Sequence, residues 1–230
     1  MKDKVQMLLA IDTATHMAGL ALYDPTKGTI LGEESWHSVN RHTVELMPRL
    51  NRLFDQQGIT PATLTGLVVS IGPGSFTGLR IGLSVAKGLA LAQSLPIVGI
   101  PTLDVVARPH MNQSLPIWAI LQAGRGRICT AQYARGKGRW RRRGDYWLTT
   151  LPELCDEVQD PVFLCGEIDA QAADEIRQRV DPEVIIATPA ASLRRAAFLA
   201  ELGWERLARG DTDIPGALSP IYLQNPQTND

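Results

Sequence analysis

One order of apolar segments occurs twice along this chain, and few folds can accommodate it. Residues 5–11 form an apolar run of strand length that ends at Asp12, residues 17–23 form a second and residues 29–36 a third. The Asp24-Pro25-Thr26-Lys27-Gly28 turn separates the last two, with proline and glycine where a tight turn wants them. Turns this short predict an antiparallel meander. The period then becomes helical. Val44, Met47, Leu50 and Phe54, with Leu46 and Leu53, recur at three- and four-residue spacing, and Gly58 stands where a helix stops. Leu67–Ile71 reads as a buried strand, Thr77–Ser94 as a helix, Pro96–Ile100 as a strand, and a helix begins near Leu103.

Residues 108–115 carry two prolines and several polar side chains, which suits a linker. Strand candidates follow at Ile117–Leu121, Ile128–Ala134 and Trp140–Leu148. A helix at Leu151–Val158 has Pro152 in its first turn, where proline is tolerated. Then come a strand at Val162–Cys165, a helix at Ala170–Arg179, a strand at Val184–Ile186 and a helix over about Ser192–Ala208. Each half therefore reads βββαβαβα, which predicts an α/β chain of two halves, 1–108 and 109–230. This is the duplicated ribonuclease-H-like plan of actin, sugar kinases and Hsp70 chaperones. Those proteins hold a nucleotide between their halves, but a shared fold does not fix function.

The first half contains Gly72-Pro73-Gly74-Ser75 between a strand and a helix. Gly72 and Gly74 permit backbone angles closed to other residues, and Ser75 or Thr77 can cap the helix. Free N–H groups at a helix start attract anions. Asp12 and Thr13, at the end of the first strand, sit where actin-like folds place an acid facing phosphate or metal. Asp12, Thr13, Gly72, Gly74 and Ser75 are thus a candidate nucleotide site. A tight turn with a capped helix explains the same residues. Neither a Walker A lysine nor a Gly-x-Ser-x-Gly elbow is present.

The helix after this junction is apolar on most sides and carries Gly78, Gly82 and Gly88, each costing about 0.8–1 kcal/mol against alanine in a helix interior. Ser84, Gly88 and Ala92 form one row of small residues, and Gly82, Ala86 and Ala90 another. Such rows let a second backbone come close. Burial in the core and docking of a partner helix both account for them.

A near-neutral chain, with 23 Lys and Arg against 24 Asp and Glu, cannot coat nucleic acid as a whole. One local stretch is basic: Arg125, Arg127, Arg135, Lys137, Arg139, Arg141, Arg142 and Arg143, with Tyr133, Trp140, Tyr146 and Trp147 among them. Arginines interleaved with aromatics can grip RNA, and Arg141, Arg142 and Arg143 are its candidate centre. The plainer account is a solvated hairpin turning at Gly136 and Gly138. Cys129, Cys155 and Cys165 are odd in number and form no Cys-x-x-Cys, which fits a reducing compartment without disulfides. No signal peptide or bilayer-length apolar run occurs, so a cytoplasmic protein is expected.

Several segments together resemble the TsaB family, also called YeaZ. They are Leu8-Leu9-Ala10-Ile11-Asp12-Thr13-Ala14-Thr15, His42-Thr43 with Leu46-Met47-Pro48, the run Gly72–Gly82, Ala86-Lys87-Gly88-Leu89-Ala90 and Pro96–Ile100. Pro220-Ile221-Tyr222-Leu223 resembles the family's closing motif. The resemblance is strong over residues 8–107 and weaker beyond. It implies a non-catalytic part in threonylcarbamoyladenosine synthesis at adenosine 37 of tRNAs reading codons that begin with A. It further implies a TsaD-like catalytic subunit and a TsaE-like ATPase as partners, a homodimer when alone, tRNA reached through the complex, and no membrane. No cofactor is implied for this chain by itself; ATP or ADP would sit at the interface of the complex.

TsaD-like proteins hold a metal with two histidines after the strand corresponding to 96–100. Thr102 and Val106 occupy those places here, and neither suits a metal. Helices 43–57 and 77–94 would meet the matching helices of TsaD through His42, Leu46, Leu50, Leu79, Gly82, Leu83 and Ala86. The chain departs from the family pattern at Thr43, Val44, Gln122, Gly124 and Gln224. The competing functions are a stand-alone ATP-binding enzyme of the sugar-kinase kind and a peptidase.

Overall fold

A computed structural model describes residues 6–39, 41–158, 161–180 and 184–223. Gln224 lies outside the described residues. The strands are β1 (Leu8–Asp12), β2 (Met17–Asp24), β3 (Thr29–His37), β4 (Gly66–Ser70), β5 (Ile97–Ile100), β6 (Ile117–Gly124), β7 (Arg127–Gly136), β8 (Arg139–Thr150), β9 (Phe163–Gly166) and β10 (Ile185–Ile186). The helices are α1 (His42–Gln57), α2 (Phe76–Gln93), α3 (Thr102–Ala107), α4 (Leu151–Glu157), α5 (Ala170–Arg179) and α6 (Ala196–Leu207).

Both sheets have one plan. The first is ordered β3-β2-β1-β4-β5 and the second β10-β9-β6-β7-β8. In each, a meander pairs antiparallel and the later strands add in parallel to its first strand. The duplicated actin-like α/β fold expected from the element order is the fold observed.

The central strand β1 is buried at all five positions, as a strand covered on both faces must be. Leu9 and Ile11 join Leu20, Leu22, Leu67 and Val69 in a core shared with Leu46, Leu50, Leu53 and Phe54 of α1 and Leu83 and Ala86 of α2. Residues of opposite parity face α6. A Cβ on Gly203 would lie 2.3 Å from a methyl of Val68, so glycine is what lets α6 lie close on β4. Glu33 of β3 accepts from the Ala197 backbone N–H at 2.9 Å and binds Arg195, satisfying the start of α6 with a carboxylate. In the second sheet, Tyr133, Cys129 and Ala131 pack with Leu103 and Val106 of α3 on one face. Ile120, Ile128 and Leu164 pack with Leu154 of α4 and Ile176 of α5 on the other.

The boundary differs from the division at 108. One compact unit contains the described residues up to Thr102 together with Arg195–Ile221, and the other contains Leu103–Arg194 with Tyr222 and Leu223. The apolar face of α3 covers the second sheet and that of α6 the first. Sequence order suggested the reverse because amphipathic period shows which face is buried and not which sheet buries it.

Candidate functional site

The Gly-Pro-Gly-Ser junction joins β4 to α2, and its glycines are occupied by the chain's own backbone. A Cβ on Gly74 would stand 2.2 Å from the Ala14 carbonyl oxygen, and one on Gly72, whose φ is +103°, 2.7 Å from that of Ile221. Ser75 accepts from the Gly78 N–H at 3.2 Å, capping α2, while its own N–H donates to the Ala14 carbonyl at 2.6 Å. Asp12 is 2% exposed; its Oδ1 accepts from the Ala14 N–H at 3.0 Å and the Ser70 hydroxyl at 2.8 Å. Thr13 is buried as well, and its hydroxyl donates to the Gly78 carbonyl at 2.7 Å. The structure thus places the five residues of the candidate nucleotide site around one junction, where contacts of Thr13, Gly74 and Ser75 with Ala14 and Gly78 secure the turn after β1 against the start of α2.

The accessible feature beside this junction is a groove of about 460 Å³ between α1 and α2. Thr43 and Met47 of α1 line it, opposite Phe76, Arg80, Ile81 and Val85 of α2. Phe76 is 54% exposed and Met47 41%, and Val44 and Leu91 are exposed on the same two helices. The Arg80 guanidinium lies 3.7 Å over the centre of the Phe76 ring, a cation–π contact that holds both side chains at the rim. Large apolar side chains left this open, rimmed by polar groups, mark interaction sites more often than scattered surface leucines do.

Of the expected interface residues, Leu50, Leu79, Gly82, Leu83 and Ala86 are buried in the first unit and do not line the groove, whereas Leu46 is buried yet contributes to its lining. His42 is buried too, its Nε2 3.0 Å from the Thr15 carbonyl oxygen. That carbonyl can only accept, so Nε2 carries the proton. The most apolar face of each helix belongs to the core. The two small rows separate likewise: Gly82, Ala86 and Ala90 face inward, whereas Ser84, Gly88 and Ala92 are exposed. Nothing lies within 4 Å of a Cβ built on Gly88. Positions 43 and 47, and 76, 80 and 84, stand at helical spacing, which is the sequence signal that could have found the outer face.

Thr102 and Val106 are both buried. Among the described residues no cluster of three or more His, Cys, Asp or Glu is placed to hold a metal, and no helix is long and apolar enough to cross a membrane. In the second unit the three candidate RNA-binding arginines divide between faces. Arg142 pairs with Tyr133 across the ladder and stacks 3.9 Å over the Tyr146 ring, whereas Arg141 and Arg143 pair with Ala134 and Gln132 on the opposite face. Asp104 of α3 accepts from the Tyr133 hydroxyl at 2.5 Å and from that of Tyr146 at 3.2 Å. Burial raises the Asp104 carboxyl above the usual carboxylate range even though both phenols stabilise its ionised form. This polar cluster fastens α3 to the second sheet and was not expected from the sequence.

Residues 32–160 match the family model of TsaD, tRNA N6-adenosine threonylcarbamoyltransferase. A protein of Escherichia coli (strain K12) called tRNA threonylcarbamoyladenosine biosynthesis protein TsaB is 34% identical over 227 residues, which are 95% of this chain and 94% of that one. The Bacillus subtilis (strain 168) protein of the same name is 30% identical over 220 residues, 94% of this chain and 93% of its own. The solved structure of YeaZ from Pseudomonas aeruginosa superposes with a TM-score of 0.78 at 24% identity, covering 95% of this chain and 100% of that one, which shows a shared fold.

Proposed function

The chain belongs to the TsaB (YeaZ) family of tRNA threonylcarbamoyladenosine biosynthesis proteins, and from that footing we propose that it is a non-catalytic subunit in the modification of adenosine 37. Its role is to dock a TsaD-like catalytic subunit in the cytoplasm, with a TsaE-like ATPase joining the pair, and tRNA is engaged by the assembled complex. Without that partner, the same face pairs with a second copy of the chain. No cofactor is bound by this chain alone, and ATP or ADP is held where the subunits meet.

The observation that carries this proposal is the groove between α1 and α2. It presents Met47, Phe76, Ile81 and Val85 beside the outward row Ser84, Gly88 and Ala92, a combination of apolar anchors and small residues that suits a closely packed helix pair. The neighbouring junction supports a structural role for the same reason. Its glycines, its serine and its buried Asp12 are engaged in fixing where α2 begins.

Reconstitution tests the proposal. TsaD-like and TsaE-like proteins of the same organism are given unmodified tRNA and a threonylcarbamoyl donor, with and without this chain. Modification is expected only with it, and the chain alone should turn over neither ATP nor donor. Equal modification in its absence, or transfer by the chain alone, would reject the role.

A further inference from the structure

The ribbon of β7 and β8 has a charge unlike that of the chain as a whole. No aspartate or glutamate occurs between Asp104 and Asp145, while Arg135, Lys137, Arg139, Arg141, Arg142 and Arg143 crowd the tip of the ribbon. The strands are joined by Lys137 and Gly138, with φ of 50° and 78°, a two-residue turn that fixes antiparallel register.

That register sorts the cations. Gly136 pairs with Arg139, Ala134 with Arg141 and Gln132 with Arg143, so these three arginines share one face. Successive members of the row are about 6.5–7 Å apart along the strand, close to the step between neighbouring phosphates in a nucleic acid strand. Gly136 leaves room above the ladder, and Arg143 fills it, its Nη2 3.0 Å from where a Cβ would stand. All three side chains are exposed, and among the described residues no carboxylate pairs with them.

β8 is an edge strand, and edges are often guarded by charge against pairing with other chains. Guarding requires neither a single sign nor a single face. A row of like charges repels itself, and a polyanion relieves that repulsion while releasing its own counterions.

Resting on the tRNA-modification role above, we propose that the β7–β8 ribbon holds the phosphate backbone of the tRNA. Arg139, Arg141 and Arg143 bind phosphates, and none of the three reads a base. Arg142, stacked on Tyr146 on the other face, is not part of the row. Contacts of this kind position a nucleic acid without selecting its sequence.

The test uses the full chain assembled with its TsaD-like partner and an unmodified tRNA transcript, titrated between about 50 and 200 mM salt. The triple variant Arg139→Gln, Arg141→Gln, Arg143→Gln should keep its melting temperature and its assembly with the partner. Its tRNA affinity should fall at least about tenfold at the low-salt end, and the steepness of log K against log salt should fall by about 2–3. A control carrying Arg177→Gln and Arg179→Gln on α5 should bind as the parent does. Unchanged binding by the folded triple variant overturns the proposal, as does equal weakening in the control. Loss of the partner instead of the tRNA also overturns it, by assigning the ribbon to a protein contact. If the parent complex modifies tRNA while the triple variant binds it normally, only the ribbon proposal fails; if the parent complex neither binds nor modifies tRNA, the role it rests on fails too.

Discussion

Thr13, in the turn after β1, donates its hydroxyl to the carbonyl of Gly78 in the first turn of α2, across 2.7 Å. Two glycines permit this approach. A Cβ on Gly78 would stand 2.2 Å from the Thr13 carbonyl oxygen, and one on Gly82 2.2 Å from Thr13 Oγ1. The inward small residues of α2 therefore accommodate a turn of the same chain.

Glycine-to-alanine changes along α2 should consequently have opposite signs. Gly78→Ala meets backbone, and overpacking of this kind costs about 1–3 kcal/mol, more than alanine gains in helix propensity. Gly88→Ala meets nothing within 4 Å and should stabilise by about 0.4–1 kcal/mol. Urea midpoints of the two variants, measured beside the parent, check the contrast.

The two faces of α1 can be told apart by neighbouring substitutions. Met47→Glu lies on the groove and should abolish co-purification with a TsaD-like partner while shifting stability by less than about 0.5 kcal/mol. Leu46→Glu removes a fully buried leucine worth about 1.5–3 kcal/mol and inserts an unpaired charge, so it should unfold the chain. Circular dichroism together with a pull-down separates the outcomes. A folded Met47→Glu chain that still binds its partner would argue against the groove as the docking face.

Asp104 gives stability a particular pH dependence. Because burial raises its folded pKa, the folded state holds this proton more tightly than the unfolded state does. Its contribution is therefore fully present below the unfolded value of about 3.9 and is lost as pH rises through the folded value. Asp104→Asn keeps an acceptor for the Tyr133 hydroxyl but cannot ionise. The melting temperature of the variant minus that of the parent should climb over that window and then level off. A difference independent of pH would show that the carboxyl titrates normally.

The cysteines should be inert. Burial pushes the Cys129 thiol up to about 11 and the Cys165 thiol up to about 12, and raises that of Cys155. Thiolate is the reactive form, so a disulfide reagent at about pH 8 should label the folded chain far more slowly than the denatured one, which should yield all three thiols.

Much of the fold was legible because each element announces itself locally. The meander shows in its short turns, α1 in its period, and α4 in Pro152 of its first turn, to which the structure adds a capping box of Thr150 and Glu153. What was not legible depends on the partner each face finds. The inward rows of α1 and α2 are the most apolar, so sequence alone favours them as an interface, although they are buried and Met47 and Phe76 are the exposed apolar residues of these helices. Gly203 and Gly19 carried a weak sign that α6 covers the first sheet, since Gly19 lies against Ala196 and Gly203 against Val68, but a lone glycine does not say what approaches it. The hairpin turn likewise moved from Gly136 and Gly138 to Lys137 and Gly138 because ladder register, invisible in composition, decides which residues stand outside it.

Because α6 lies far along the chain from the sheet it covers, the order of synthesis acquires a consequence. When Thr102 leaves the ribosome, β1 through β5 exist but one face of their sheet has no cover. About a hundred further residues must be made before α6 emerges, a wait of about 5–20 s at ordinary elongation rates. During that interval the stretch from Leu103 to Arg194, which supplies most of the second unit, can begin to fold, while the sheet begun first waits for its last helix. A nascent chain stopped before Ala196 would present bare valine and leucine rows to chaperones, so truncation there is expected to be far more damaging than the loss of one short helix suggests.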